Sequence, residues 1–531
     1  MKHPQADGPW VGRWSAGALA VALLAGCNGA LSPRADLGRG VDAAASREDS
    51  GPTADLGSAP SGDGGGPATD GGPPTMDGGP AAGGSVCDRA WDPGDFARVW
   101  EIGPGQAYAE IHDAPWASLA PGTLVRIHWR PEPYRTKWVI STEAREDAPV
   151  VVTGVPDGGR LPVISGDGAV TPPGLDFWGE DRSLIKIGGS NAPGGEPGWV
   201  YVERLELRDA HPARTFSDDR GQPGVYRDNA ASITVEVGHD IVLRGNRIVG
   251  SGNGLFTSPP AVDVAIQCNL VEGNGNAGSA FEHNLYLNGR GALVEYNRFR
   301  ALCPSCLGNN LKSRSSGLVV RYNWIEDGNR QLDLVDAGDE AILARADYAD
   351  VFVYGNVLVE GPDQGNSQVV HYGGDSGDET RYRDGTLHFF HNTVVSTRTG
   401  NTTLFRLSFD DAHADVRNNV FFAQAGGARL AVLVERGSAD LRTNWMPAGW
   451  RDSFGSLSGT VSTEDNVEGQ DPGLVDPASA DYRLAGGSPA RGIAGPAAGS
   501  AGAHPVRRTY VPHRSGAARS STADAGAFEG E

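Results

Sequence analysis

From about residue 232 onward, short runs of alternating apolar and polar residues recur along the chain, each meeting an Asn that is followed by more apolar residues. These are Asn246 in GNRIVG, Asn269 in CNLVEG, Asn297 in YNRFR, Asn323 in YNWIED, Asn356 in GNVLVEG, Asn392 in HNTVVS, Asn419 in NNVFF and Asn444 in TNWM. A period of two marks strands with one buried face. The Asn residues are separated by 23, 28, 26, 33, 36, 27 and 25 positions, the rhythm of a solenoid with one coil per repeat and occasional insertions. Asn suits a sharp corner because it tolerates left-handed backbone and can bond to the Asn of the next coil. A propeller needs four strands in about 40 residues, and a leucine-rich repeat needs its Leu spacing; neither pattern is present. The expected fold is therefore an all-β parallel solenoid over residues 87–531, with insertions at 211–229, 327–350 and 361–384 gathered on one face. Ahead of it, the run after Gly103-Pro104-Gly105 reads as a short amphipathic helix over 108–119 that caps the open end, kinked or split at Pro115.

Within residues 282–336 the alternation assigns side chains to faces. In EHNLYLNG, Leu285 and Leu287 point inward, leaving Asn284, Tyr286 and Asn288 outside; in NNLKSRS, Leu311 and Ser313 point inward, leaving Asn310, Lys312 and Arg314. In RQLDLVDAG, Leu332 and Leu334 point inward, leaving Gln331, Asp333 and, past the strand end, Asp336; the next coils add His371 from SQVVHYGGD and Arg406 from TTLFRLS. With rungs about 4.8 Å apart, the outer face presents Tyr286, Lys312, Asp333, His371 and Arg406 in one row. As ordinary surface, Lys312 and Asp333 would be a cross-strand ion pair worth under about 1 kcal/mol, and Tyr286 and His371 would be polar cover. His283 reads as a packing or hydrogen-bonding side chain beside the strand.

The N-terminus changes the picture of where this domain works. Lys2 and Arg13 give a positive start ahead of an apolar run over 15–26 that is too short to span a bilayer, and it closes on Leu24-Ala25-Gly26-Cys27. That ending resembles the lipobox of bacterial lipoproteins, which implies removal of residues 1–26, acylation of Cys27, export and lipid anchoring at a cell envelope. Residues 27–86 are nearly all Gly, Pro, Ala, Asp, Ser and Thr, a composition that forms a solvated tether. A net charge of −21 argues against a nucleic-acid partner. In an exported protein Cys303-Pro304-Ser305-Cys306 reads as a small disulfide loop, since no second ligand pair at zinc spacing accompanies it; the state of Cys87 and Cys268 is left open. A monomer is expected.

The PGQAYAEI opening, the repeated Asn corner and the ending DPGLVDPASADYRLAGGSPARG with DAGAFE resemble the right-handed parallel β-helix proteins of the pectate-lyase-like fold over residues 100–529, the ending being similar to their terminal coils. That resemblance implies a polysaccharide partner, and the outward row suits elimination on a uronate: a cation neutralises the carboxylate, a base takes the C5 proton and an acid protonates the departing oxygen. Arg314 or Arg406 would neutralise, Lys312 would be the base if its pKa is depressed, and Tyr286 or His371 the acid, with Asn284, Asn310, Asp333 and Arg330 as further substrate contacts. Lys312-Ser313 is similar to the Lys-Ser of the β-helix alginate and chondroitin lyases, but Ser305 and Leu307 stand where that family has acidic calcium ligands, and no LRHG follows. Calcium could bind through Asp333, Asp336, Asp339 and Glu340; no other cofactor is indicated. A glycoside hydrolase using Asp333 with Asp336, or a non-catalytic glycan-binding protein, are the alternatives. Gly238-His239-Asp240 and Asp410-Asp411 resemble fragments of polygalacturonase sites. Lys312→Ala is expected to abolish turnover with little effect on unfolding.

Overall fold

The computed structural model describes residues 86–362 and 365–530. The expected signal peptide, Cys27 and all but the last residue of the expected tether lie outside the described residues. Three long sheets of 13, 11 and 10 strands make up the domain, and each links strands from successive coils in parallel. The chain is a right-handed parallel β-helix. One coil runs from Leu285–Leu287 in the ten-stranded sheet through Leu293–Glu295 in the 13-stranded sheet to Arg298–Phe299 in the 11-stranded sheet, and then reaches Leu311–Ser313 on the next rung. The ten-stranded sheet, here the site sheet, contains β1 (Leu285–Leu287), β2 (Leu311–Ser313), β3 (Leu332–Leu334), β4 (Gln368–Tyr372) and β5 (Thr402–Leu407). Inward residues such as Leu285, Leu287, Leu311, Leu332 and Leu334 are fully buried in one continuous core.

The repeated Asn residues form a ladder. Each backbone N–H donates to Oδ1 of the Asn one coil further on, at 2.8–3.0 Å from Asn246 through Asn444. Asn466 supplies a ninth rung that the sequence count does not include. The left-handed residue, however, is the one before the Asn, as at Cys268, Tyr296, Tyr322, His391, Asn418 and Thr443. That turn at the preceding position bends the chain between sheets and swings the Asn side chain inward, where its amide reaches a carbonyl of the coil before, as Asn356 Nδ2 does at Val320 O (2.9 Å).

The N-terminal cap is not one helix over 108–119. It is two 3₁₀ turns, Ile111–Asp113 and Trp116–Ser118, separated at Pro115, which cannot donate the hydrogen bond that would join them. Buried Trp116 stacks on Trp138 of the first site-sheet strand at 5.1 Å and meets Trp100 edge-on at 5.8 Å, so the turns close the core as a helix would. The described residues contain a single short α-helix, Glu340–Leu343, and none is long and apolar enough to cross a membrane.

The ending also differs from terminal coils. Past Gly469 the chain makes antiparallel pairs, Leu474–Asp476 with Asp481–Leu484 and Arg508–Val511 with Ser515–Ala518, and lies against the outer face of the 11-stranded sheet. Tyr482, Tyr510 and Phe528 cover Trp324, Val357, Val395, Val420 and Trp445 there, because those outward positions are apolar and need a partner. Disulfides join Cys87 to Cys268 and Cys303 to Cys306. Two insertions flank the site sheet: residues 335–350 follow β3, and 373–385 follow β4.

Candidate functional site

Parallel pairing places Tyr286 opposite Lys312, Lys312 opposite Asp333, Asp333 opposite His371 and His371 opposite Arg406. Phe256 precedes Tyr286 on the neighbouring rung, the two rings meeting edge-on at 5.4 Å. Phe281, on the loop that enters β1, is 64% exposed.

Lys312 and Asp333 form the centre. Lys312 Nζ lies 2.8 Å from Asp333 Oδ2 and 2.5 Å from Asp375 Oδ2. The other Asp333 oxygen faces His371 Nδ1 at 2.7 Å, and Asn309 Nδ2 donates to Oδ2 at 3.0 Å. Arg314 donates from Nε to the Tyr286 hydroxyl oxygen at 3.0 Å and from its NH2 nitrogen to Asp375 Oδ1 at 2.8 Å, while its other nitrogen bonds the Asp336 carbonyl. Asp375 thus bridges the two cations with a side chain that remains 32% exposed. Its backbone N–H and that of Ser376 are held by Asp336 Oδ1 at 2.7 and 3.3 Å. Ser408 Oγ clamps the neighbouring Gly374, accepting its N–H at 2.9 Å. A Cβ at Gly373, with φ of 130°, would come within 2.5 Å of that Ser408 oxygen, which is why this turn is glycine.

These contacts set the protonation states. Burial alone would lower the Lys312 pKa, but Asp333 and Asp375 outweigh it and hold the ammonium above its ordinary value. The depressed, base-like Lys312 suggested by the sequence is therefore not what the structure shows. Asp333 resists burial through Lys312 and His371 and is held well below the usual carboxylate range. Asp375 is likewise held at about 2, Lys312 and Arg314 outweighing the burial. Burial keeps His371 below its ordinary value despite Asp333, so it is a neutral imidazole with its proton on Nδ1. Arg314 is buried too, yet Tyr286 and Asp375 raise its pKa.

Several candidates stand elsewhere. Asn284 and Asn310 are fully buried at the coil corner rather than on the outer face: Asn284 Nδ2 donates to Asn310 Oδ1 at 2.7 Å, and Asn310 Nδ2 donates to the carbonyls of Glu326 and Asp327. Strand alternation ends at that corner, so two successive side chains turn inward. Neither reaches a ligand on the open face. Arg330 lies beside the row, bonded to Gln368 Oε1 at 2.8 Å and 3.8 Å from Asp333. Arg406 is drawn away toward Glu435 at 3.0 Å. The acidic calcium candidates do not converge: Asp333 is taken by Lys312 and His371, Asp336 by backbone amides, Asp339 caps the short helix through the amides of Ala341 and Ile342, and Glu340 pairs with Arg381 at 2.5 Å. No group of three His, Cys, Asp or Glu that could hold a metal occurs among the described residues. His239 bonds Asp240 at 2.8 Å on the 13-stranded sheet, and Asp410 pairs with Arg436, so neither fragment adds to the row.

Asp375, Asn309 and Ser408 are the residues that strand alternation does not reveal. The Gly373-Gly374 pair directly after β4 is the one local sign that a loop turns back over the row there.

No protein-family model matches the chain, and no curated protein matches it. Similar solved structures include the pectate lyase Pel9A, with 12% identity and a TM-score of 0.42 over 82% of this chain and 97% of that one. The PL6 family polysaccharide lyase Pedsa3628 from Pseudopedobacter saltans has 11% identity and a TM-score of 0.35, over 69% and 92%. The GH136 lacto-N-biosidase from Eubacterium ramulus has 10% identity and a TM-score of 0.38, over 70% and 67%.

Proposed function

We propose that the protein binds an acidic polysaccharide along the site sheet and cleaves it by β-elimination at a uronate. The observation that carries this reading is the convergence of Lys312 and Arg314, both cationic, on one exposed carboxylate beside the Tyr286 hydroxyl. A substrate carboxylate exchanging with Asp375 would receive the same two cations, which lowers the cost of charge developing on it when C5 loses its proton. Tyr286 replaces Lys312 in proton transfer. Once its phenolic proton has passed to solvent, the Tyr286 oxygen takes the C5 proton, the electron pair forms C4=C5, the C4–O bond breaks, and the phenol so formed returns the proton to the departing oxygen. Arg314 Nε–H, 3.0 Å from the Tyr286 oxygen, stabilises negative charge on that Tyr286 oxygen. Phe256 extends the face with a ring suited to stacking on sugars.

Two-carboxylate hydrolysis fits less well, because it needs one carboxyl that keeps its proton. Asp333 and Asp375, whose Oδ2 atoms both contact Lys312, are both held ionised. With acylation at Cys27, the enzyme would work from the surface of a bacterial envelope. The test is incubation with pectate, alginate, glucuronan and glycosaminoglycans, following ultraviolet absorbance of the unsaturated product. Reducing ends without absorbance would favour hydrolysis, and retardation in a glycan gel without cleavage would favour a binding protein.

A further inference from the structure

Three residues before the outward row, a second ladder runs down the same sheet. His283 N donates to Asn253 Oδ1 at 2.8 Å, Asn309 N to His283 Nδ1 at 2.9 Å, and Arg330 N to Asn309 Oδ1 at 3.1 Å. Asn serves as the acceptor on the rungs before and after. His283 does the same work with Nδ1 and carries a second ring nitrogen that the ladder does not use.

The ladder decides where the ring proton sits. A backbone amide can only donate, so Nδ1 must be the unprotonated nitrogen, and the neutral ring carries its proton on Nε2. Nε2 has no hydrogen-bond partner among the described residues, and it is not one of their sealed, unsatisfied polar atoms. The residue is 2% exposed and its ring stands edge-on to Tyr286, with centroids 5.3 Å apart. Lys312, Arg314, Asp333 and Asp375 are the charged groups that act on it. Protonation would set N–H against the Asn309 N–H and add a third cation beside Lys312 and Arg314. Burial first, then Lys312, accordingly lowers its pKa to about 3.

We infer that His283 is a fixed neutral donor whose Nε2–H binds an oxygen of the acidic sugar held by Lys312 and Arg314, making it a substrate-binding residue rather than a ladder residue alone. This rests on the acidic-polysaccharide reading of the same site. Unlike a histidine that shuttles protons, it neither gains nor loses a proton across the working range, so it supplies the same bond throughout that range.

Two measurements on the full protein test this. In ¹⁵N-histidine-labelled protein, long-range ¹H–¹⁵N correlations should show His283 as the Nε2–H tautomer, neutral from pH 8 to pH 5; an Nδ1–H tautomer or an imidazolium at pH 6 overturns the inference. Adding an oligouronate that is retarded by the protein should shift the Nε2–H resonance. Retardation without that shift overturns the His283 role alone, whereas an oligouronate series with neither effect overturns the acidic-polysaccharide reading and the His283 role with it. His283→Asn keeps an acceptor for Asn309 and removes the Nε2–H donor together with the ring that stands against Tyr286. It should leave thermal unfolding near that of the parent protein and lower kcat/KM about 10- to 100-fold, the worth of a hydrogen bond to a charged group. Parent-like kcat/KM in this variant would reduce His283 to a ladder residue.

Discussion

Asp333 Oδ1 and His371 Nδ1 lie 2.7 Å apart as buried neighbours within the outward row. Because Asp333 is ionised, His371 carries its proton on Nδ1 and presents Nε2 to the Ser408 hydroxyl at 3.2 Å. Ser408 in turn holds Gly374, the neighbour of Asp375. A buried pair thereby fixes the position of the exposed carboxylate that joins Lys312 to Arg314.

Lys312→Ala should do more than stop turnover. It removes the nearest cation from a buried Asp333, and a buried charge stripped of its partner costs about 3–5 kcal/mol. The expectation of nearly unchanged unfolding, drawn from the sequence, is thus replaced by a clear loss in urea denaturation, part of which Lys312→Ala with Asp333→Asn should restore. A single variant that unfolds at the parent midpoint would show that the pair contributes little.

Tyr286→Phe and Arg314→Lys separate chemistry from stability. Tyr286 is half-buried, and losing its hydroxyl leaves the ring packing on Phe256 and His283 intact. On the substrate identified by the panel, elimination should fall at least about 100-fold for Tyr286→Phe and a similar amount for Arg314→Lys, which cannot reach Tyr286 and Asp375 with one planar fork. Full product absorbance from Tyr286→Phe would remove it from proton transfer.

Acid should destabilise the protein in two steps. His283 has a folded pKa of about 3 against roughly 6.5 unfolded. Between those values the unfolded state holds more protons, so stability falls as pH falls. Asp333 is held well below the usual carboxylate range when folded, while an unfolded Asp titrates near 3.9. Its contribution is complete above that value and is lost as pH falls toward the folded pKa. Urea midpoints should decline from about pH 6.5 downward, with His283→Asn flattening the upper part and Asp333→Asn the lower. A midpoint that stays level between pH 7 and pH 4 would contradict the His283 assignment, and one that stays level from pH 4 downward would contradict the Asp333 assignment.

Asn356→Ala tests the corner ladder. It leaves the Asn323 N–H without its Oδ1 acceptor and the Val320 carbonyl without its donor, both in the interior. The cost should be about 1–3 kcal/mol by chemical denaturation. The same change at Asn466, on the partly exposed last rung, should cost less; equal losses would argue against burial as the cause.

The coil repeat was legible because each corner needs a side chain that can accept from one amide and donate to one carbonyl, and Asn meets that need at a short length. The row from Tyr286 to Arg406 was legible because Leu on either side of each polar residue fixes which face it takes. Asn284 and Asn310 were misassigned by the same rule, which holds within a strand and ends at its corner. The charge state of Lys312 could not be read locally, since Asp375 is 63 residues away and arrives on a loop. His283 was legible as a hydrogen-bonding residue, but its tautomer depends on an amide from the next coil.

The returning C-terminal segment affects how such a stack can be assembled. A solenoid can in principle add coils one at a time as the chain leaves the ribosome. Here the Gly526 amide bonds the Asn418 carbonyl at 2.8 Å and the Ala527 amide bonds Thr393 Oγ1 at 3.0 Å, across coils made more than 100 residues earlier. Until residues 474–528 have emerged, the apolar stripe from Trp324 to Trp445 lacks its full cover. The segment over residues 474–528 is therefore what seals that side of the stack, and a chain lacking it would present the stripe to any neighbour.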